Sequence, residues 1–173
     1  MSEFERFHDV RLLPAGPVQL AANRDECAAL AARFGLVAIK RLEATVTLTA
    51  DGPAVRATGR LSADVVQSCA VSAEDLLSRI NVPVALRFVP ATDLPGGHEE
   101  IELISADCDD IELDGTRFDL GDALAQGLAL AVDPFATGPG ADEARRQAGL
   151  LGEGASGPFA ALAGLKLRSD PSD

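Results

Sequence analysis

The sequence predicts an α+β fold: a bent antiparallel sheet, barrel-like in its most curved form, with helices packed on it. Three observations carry this. Leu42–Thr49 alternates apolar with polar residues, turns at Asp51-Gly52-Pro53, and is answered by a second alternating run from Val55 to Cys69. A third run, Ile80–Phe88, alternates in the same way. Two helix starts are marked by side chains that can accept backbone hydrogen bonds, Asn23 and Asp119. Alternation with period two marks a half-buried strand, and a cap ahead of apolar residues spaced three and four apart marks a helix.

Taken in order, Phe4–Leu13 reads as a first strand, broken by Pro14-Ala15-Gly16-Pro17. Asn23 with Glu26 three residues on forms a capping box. Cys27, Leu30, Ala31 and Phe34 then share one helix face, so Cys27 reads as a core residue, and Gly35 ends the helix. In the hairpin, Val55, Ala57, Leu61, Ala63 and Val65 face in while Arg56, Thr58, Arg60, Ser62 and Asp64 face out. Gly59 marks a bulge or bend there. Ser72-Ala73-Glu74-Asp75 predicts a short capped helix running into Leu76 and Leu77. In the strand that follows, Pro83 points to an edge, or to a position outside the ladder. Pro90–Gly97 is a loop, and Ile101 and Leu103 suit a short strand. Ile111–Leu113 and Thr116–Phe118 flank Asp114-Gly115, a dipeptide suited to a two-residue hairpin turn. Asp119 caps the next helix, whose apolar stripe is Leu120, Ala123, Leu124, Leu128 and Ala131. Gly127 in its middle suggests a close packing neighbour. The expected organisation is one domain over 1–136, then a flexible Gly/Ala-rich segment and a short C-terminal helix within 137–173.

Charge is the most uneven property of the chain. Residues 1–91 balance ten acids against ten bases, whereas 92–123 hold eleven acids and a single Arg, most of the net −12. Binding a phosphate backbone directly needs Lys and Arg to release counterions, so this segment does not suit nucleic acid. It suits a basic protein partner, or simply a solvated face. With seven Phe and no Trp or Tyr, few aromatics are left to stack bases. The three cysteines, Cys27, Cys69 and Cys108, form neither a disulfide framework nor a complete zinc set. No apolar run has the length of a signal sequence or membrane span, so the expectation is a reduced, cytoplasmic protein.

Chemistry is hard to place. Asp110-Ile-Glu112-Leu-Asp114-Gly115 imitates the start of a calcium loop, but position twelve of such a loop is Gly121 where a bidentate Glu is required. His98, Glu99, Glu100, Asp107, Cys108 and Asp109 have no defensible metal spacing. Only His8 and His98 are present, without a nucleophile–base arrangement, a Gly-x-Ser-x-Gly or a phosphate loop. The reading is therefore non-enzymatic, with no metal and no cofactor. A metal-assisted enzyme with an acidic site, or a general protein-interaction adaptor, are its rivals.

Phe118-Asp119-Leu120-Gly121, followed by Gln126, Leu128, Leu130 and Pro134, resembles the signature of the YceD family, the large ribosomal RNA subunit accumulation proteins. Val65–Ser72 resembles that family's strand into its cysteine motif. Asp25–Ala31 and Ser156–Lys166 resemble the terminal segments of its alphaproteobacterial members. The resemblance implies a non-catalytic, cytoplasmic ribosome-assembly factor that supports accumulation of large-subunit ribosomal RNA. Relatives with Cys-x-x-Cys at the cysteine motif suggest zinc. Here Ser72 follows Cys69, so a metal-free protein with Ser72 as a helix cap is expected, and Gln126 replaces the usual Glu. The partner-binding candidates are Glu99, Glu100, Asp109, Asp110, Glu112, Asp119, Gly121 and Asp122, facing a basic ribosomal protein or the precursor large subunit. Direct RNA contact would fall to Arg56 and Arg60. No membrane is involved in this reading.

Overall fold

Three long strands, each of fourteen or fifteen residues, form the spine of the computed structural model, which describes residues 3–90 and 109–150. The elements in chain order are β1 (Phe7–Asp9), β2 (Val18–Ala21), α1 (Arg24–Phe34), β3 (Ala38–Asp51), β4 (Ala54–Ser68), β5 (Asp75–Val89), β6 (Asp109–Glu112), β7 (Arg117–Asp119), α2 (Leu120–Ala131) and α3 (Ala141–Gln147). A five-stranded sheet has the order β2-β3-β4-β5-β6, and β1 pairs with β7 in a separate two-stranded sheet. The predicted α+β class is correct, but the sheet is open, not a barrel. Its outermost strands, β2 and β6, have only four residues each and do not meet.

The β3–β4 hairpin follows the sequence pattern closely. Asp51 pairs with Ala54 across Gly52-Pro53, and Gly52 takes the left-handed conformation (φ 62°) that the turn demands. Leu42, Ala44, Val46 and Leu48 are buried on one face, opposite buried Val55, Ala57, Leu61, Ala63 and Val65 of β4. Gly59 is no bulge: its pairing with Val46 is regular, and the register shift lies between Ile39 and Arg41. A Cβ at Gly59 would run into the Thr45 carbonyl oxygen and stand 2.8 Å from Val46 Cα. Glycine is there because two backbones approach closely.

Both capped helices form where expected. Asn23 accepts from Asp25 and Glu26 amides while the Glu26 carboxylate accepts from the Asn23 amide at 2.8 Å. Gly35 closes α1 at φ 66°. Cys27, Leu30 and Ala31 are buried, and burial raises the Cys27 thiol pKa above its ordinary value, helped by the Glu26 charge. One core cluster joins α1, the sheet and α2, with Leu30, Leu61, Phe88, Leu120, Leu124 and Leu128 fully buried in it.

Further expectations need correction. The helix anticipated after Ser72 does not form: Cys69–Ala73 is a turn with Ala73 at φ 59°, and β5 begins at Asp75. Ser72 therefore caps nothing; its hydroxyl donates to Glu74 Oε2. The Asp114-Gly115 hairpin is displaced by one residue. Asp114 and Arg117 exchange both backbone hydrogen bonds, leaving Gly115-Thr116 as the turn, with Gly115 at φ 65°. The strands it joins diverge at once, β6 running parallel to β5 and β7 antiparallel to β1. Finally, nothing lies within 4 Å of a Cβ built on Gly127. Gly127→Ala is thus expected to stabilise the protein by about 1 kcal/mol through helix propensity alone. Urea unfolding checks it, and a loss of stability would mean that the space is already filled.

Pro83 lies in β5, and β6 covers only Leu86–Val89 of that strand. Among the described residues, the pairing with β6 does not reach Pro83. The chain divides into two units: 1–67 with 77–133, and 68–76 with 134–173. Within the second unit the turn around Cys69 bonds with the segment after Pro134. Ala70 N–H donates to the Ala136 carbonyl at 3.0 Å. In the same unit α3 spans Ala141–Gln147. The C-terminal helix, and the expected strand at Ile101 and Leu103, lie outside the described residues, as does most of the Pro90–Gly97 loop.

Candidate functional site

The junction of β7 and α2 is built around the carboxylate of Asp119. Its Oδ1 accepts from the Gly121 amide at 3.0 Å and the Asp122 amide at 3.2 Å, capping the helix. The same oxygen accepts the Arg6 amide at 2.7 Å, and Leu120 N–H donates back to the Arg6 carbonyl at 3.0 Å. The N-terminal segment is thereby fastened across the start of α2. Gly121 is buried beneath it: a Cβ there would overlap the Phe4 carbonyl oxygen and stand 3.0 Å from the Arg6 nitrogen.

Side chains secure the segment from both helices. The Arg6 guanidinium grips Glu26 of α1 at 2.8 and 3.0 Å and lies over the Phe4 ring at 4.4 Å. That grip holds the Glu26 carboxyl below its ordinary pKa. Arg33 of α1 bridges Glu3 at 2.9 Å and Asp122 at 3.2 Å. His8 stacks on Phe118 with ring centres 5.6 Å apart. Burial lowers its pKa, against the opposing pull of the Asp119 charge, so the ring favours its neutral form.

Over this junction opens a cleft of about 220 Å³. Phe88, Phe118 and Ile111 supply apolar walls; Glu112, Asp114, Asp119 and Asp122 supply carboxylates; Phe7, Arg117, Ala123 and Gln126 complete the lining. The Arg117 guanidinium lies over the half-exposed Phe7 ring at 4.8 Å. Among described residues neither Glu112 nor Asp114 forms an ion pair, and both are exposed. The cleft offers acceptors and negative charge without a nucleophile beside a base. Among the described residues no three His, Cys, Asp or Glu side chains come together as a metal site.

The candidates read from sequence are thus divided. Glu112, Asp119 and Asp122 converge on the cleft. Asp110 is exposed in β6 but pairs with Arg87 at 3.2 Å. Asp109 opens β6, and its side chain, like Glu99 and Glu100, lies outside the described residues. Gly121 is buried, so it shapes the junction and presents nothing to a partner. Arg56 and Arg60 are exposed on the hairpin, engaged with Asp51 at 3.0 Å and Asn81 at 2.9 Å, and neither lines the cleft. Sequence reasoning missed Phe7, Asp114, Arg117 and Gln126 as cleft residues. The β1–β7 pairing brings Phe7 opposite Asp119, and no local pattern announces a contact between residues 112 positions apart.

In the second unit Cys69 occupies a nest of donors. The amides of Ser72, Gly138 and Val71 donate to its Sγ at 3.3, 3.4 and 3.5 Å. Hydrogen bonds from Ser72 first, then from Gly138 and Val71, draw its pKa down from 9.0 to about 6. In a background without Cys27 and Cys108, the ultraviolet absorbance of the thiolate should titrate with a midpoint near that value. Since the folded pKa lies below the unfolded one, the thiolate's contribution to stability is fully present above pH 9 and is lost as pH falls through about 6. A midpoint at the ordinary thiol value would show that the nest is not formed.

No family model, curated protein or solved structure matches the chain. Among the described residues no helix is long and apolar enough to cross a membrane.

Proposed function

We propose that this chain is a non-catalytic, cytoplasmic ribosome-assembly factor that supports accumulation of large-subunit ribosomal RNA by docking a basic protein. The observation that carries the docking is the cleft: Glu112, Asp114, Asp119 and Asp122 meet there against one lining cation, Arg117. Such a field speeds the approach of a cationic surface and repels phosphate. Two of the four carboxylates are partly spent, Asp119 on the cap and Asp122 on Arg33, so Glu112 and Asp114 are left to face a partner. The link to the ribosome rests on the resemblance of residues 118–134 to the YceD signature, which here is the β7–α2 junction itself.

The test is co-sedimentation of the protein with precursor large subunits, followed by capture of its partner from lysate under rising salt. The expected result is a basic ribosomal protein or assembly factor, released as salt screens the contact. Tight binding to purified ribosomal RNA in the absence of any protein would defeat the protein-docking version, and failure to sediment with precursors would remove the ribosome.

A further inference from the structure

We propose that the acidic cleft is one end of a longer docking track along α2, and that the track takes an amphipathic protein segment with Lys or Arg at one end and aliphatic side chains at the other. This deepens the docking reading above and rests on it. A second space, an apolar groove of about 330 Å³, lies between β5 and α2. Val82, Val84 and Leu86 line one side and Leu124, Gly127 and Leu130 the other. Cleft and groove share Ala123, so they adjoin along the same helix.

Local sequence shapes the groove walls among the described residues. Among the described residues, pairing with β6 covers Leu86–Val89, Pro83 has no backbone N–H, and Gly127 leaves the helix wall low. Leu130 is 84% exposed at the helix's far end. One exposed leucine needs no explanation, but this one borders a continuous apolar surface. The two ends of α2 are about 18 Å apart at 1.5 Å per residue. They differ completely in character, carboxylates at the start and aliphatic groups at the end.

Charge complementarity selects the occupant. Four carboxylates line the acidic end, and its one exposed aromatic ring, Phe7, already carries the Arg117 guanidinium on its face. That chemistry favours a cationic side chain. The aliphatic end adds a requirement that a purely polycationic tail does not meet, and nucleic acid meets neither.

The experiment measures binding of three synthetic peptides of equal length to the full chain by fluorescence polarisation. One has lysines at one end and leucines at the other; in the second the leucines become serines; in the third the lysines become glutamates. The first should bind at least about tenfold tighter than either of the others. Leu130→Glu, at an exposed position, should erase the preference for leucine while keeping that for lysine. Glu112→Lys with Asp114→Lys should do the reverse. Affinities within about threefold for all three peptides, no binding of the first, or variants that leave both preferences intact would overturn the track. So would an RNA oligonucleotide that displaces the first peptide. Sedimentation with precursor subunits but no peptide preference would remove the track and leave the assembly role. The preference without sedimentation would remove the ribosome and leave the track.

Discussion

Gly121→Ala is expected to destabilise the protein by about 3 kcal/mol, although alanine is the better helix former by about 1 kcal/mol. The reason is contact between backbones. The added methyl would overlap the Phe4 carbonyl oxygen, and the Arg6 nitrogen, 3.0 Å away, leaves it nowhere to turn. Relief requires the segment to lift from α2, which breaks the Arg6–Asp119 and Leu120–Arg6 hydrogen bonds. Limited proteolysis should then cut near the N-terminus faster than in the parent. Gly127→Ala, six residues further along the same helix, should move stability the other way. If both substitutions stabilise, the N-terminal segment does not cross α2 as described.

Asp119→Ala should cost about 2–3 kcal/mol, whereas Asp119→Asn should cost less than about 1 kcal/mol. One carboxylate oxygen serves three amides, those of Arg6, Gly121 and Asp122. Alanine removes the acceptor and strands partly buried donors, while asparagine retains an oxygen in the same place. Equilibrium unfolding in urea separates the two variants. An alanine variant as stable as the parent would show that the three amides do not depend on Asp119, and would leave only its role as a partner-binding candidate. With the asparagine variant folded, any remaining loss of binding reports the charge alone.

These two residues show how a motif can be recognised and its meaning missed. Asp119 as a helix cap was legible, because an acceptor ahead of an apolar stripe is a local signal. Its bond to Arg6 was not, since it joins positions 113 residues apart. Gly121 was read with the acids around it, but it is there for the approach of a distant backbone. Ser72 erred in the opposite way. Its neighbours satisfy a helix-start pattern, yet the Cys69 amide bonds the Glu74 carbonyl at 2.7 Å and closes a turn instead. The long β5 strand then claims Asp75 onward. Tertiary pairing overrode a weak local preference.

The sequence by itself determined the β3–β4 hairpin, the capped starts of α1 and α2 and most of the buried stripe. Each follows from neighbours within a few residues, where periodicity, a turn glycine or a capping side chain acts directly. It also determined that negative charge gathers in the segment leading into α2. Only the tertiary structure decided that the sheet stays open, that β6 joins it in parallel while β7 leaves for β1, and that Phe7 and Arg117 close a cleft around Glu112 and Asp114. Those outcomes depend on which distant backbones pair, and a strand's own residues encode its burial far better than they encode its neighbour.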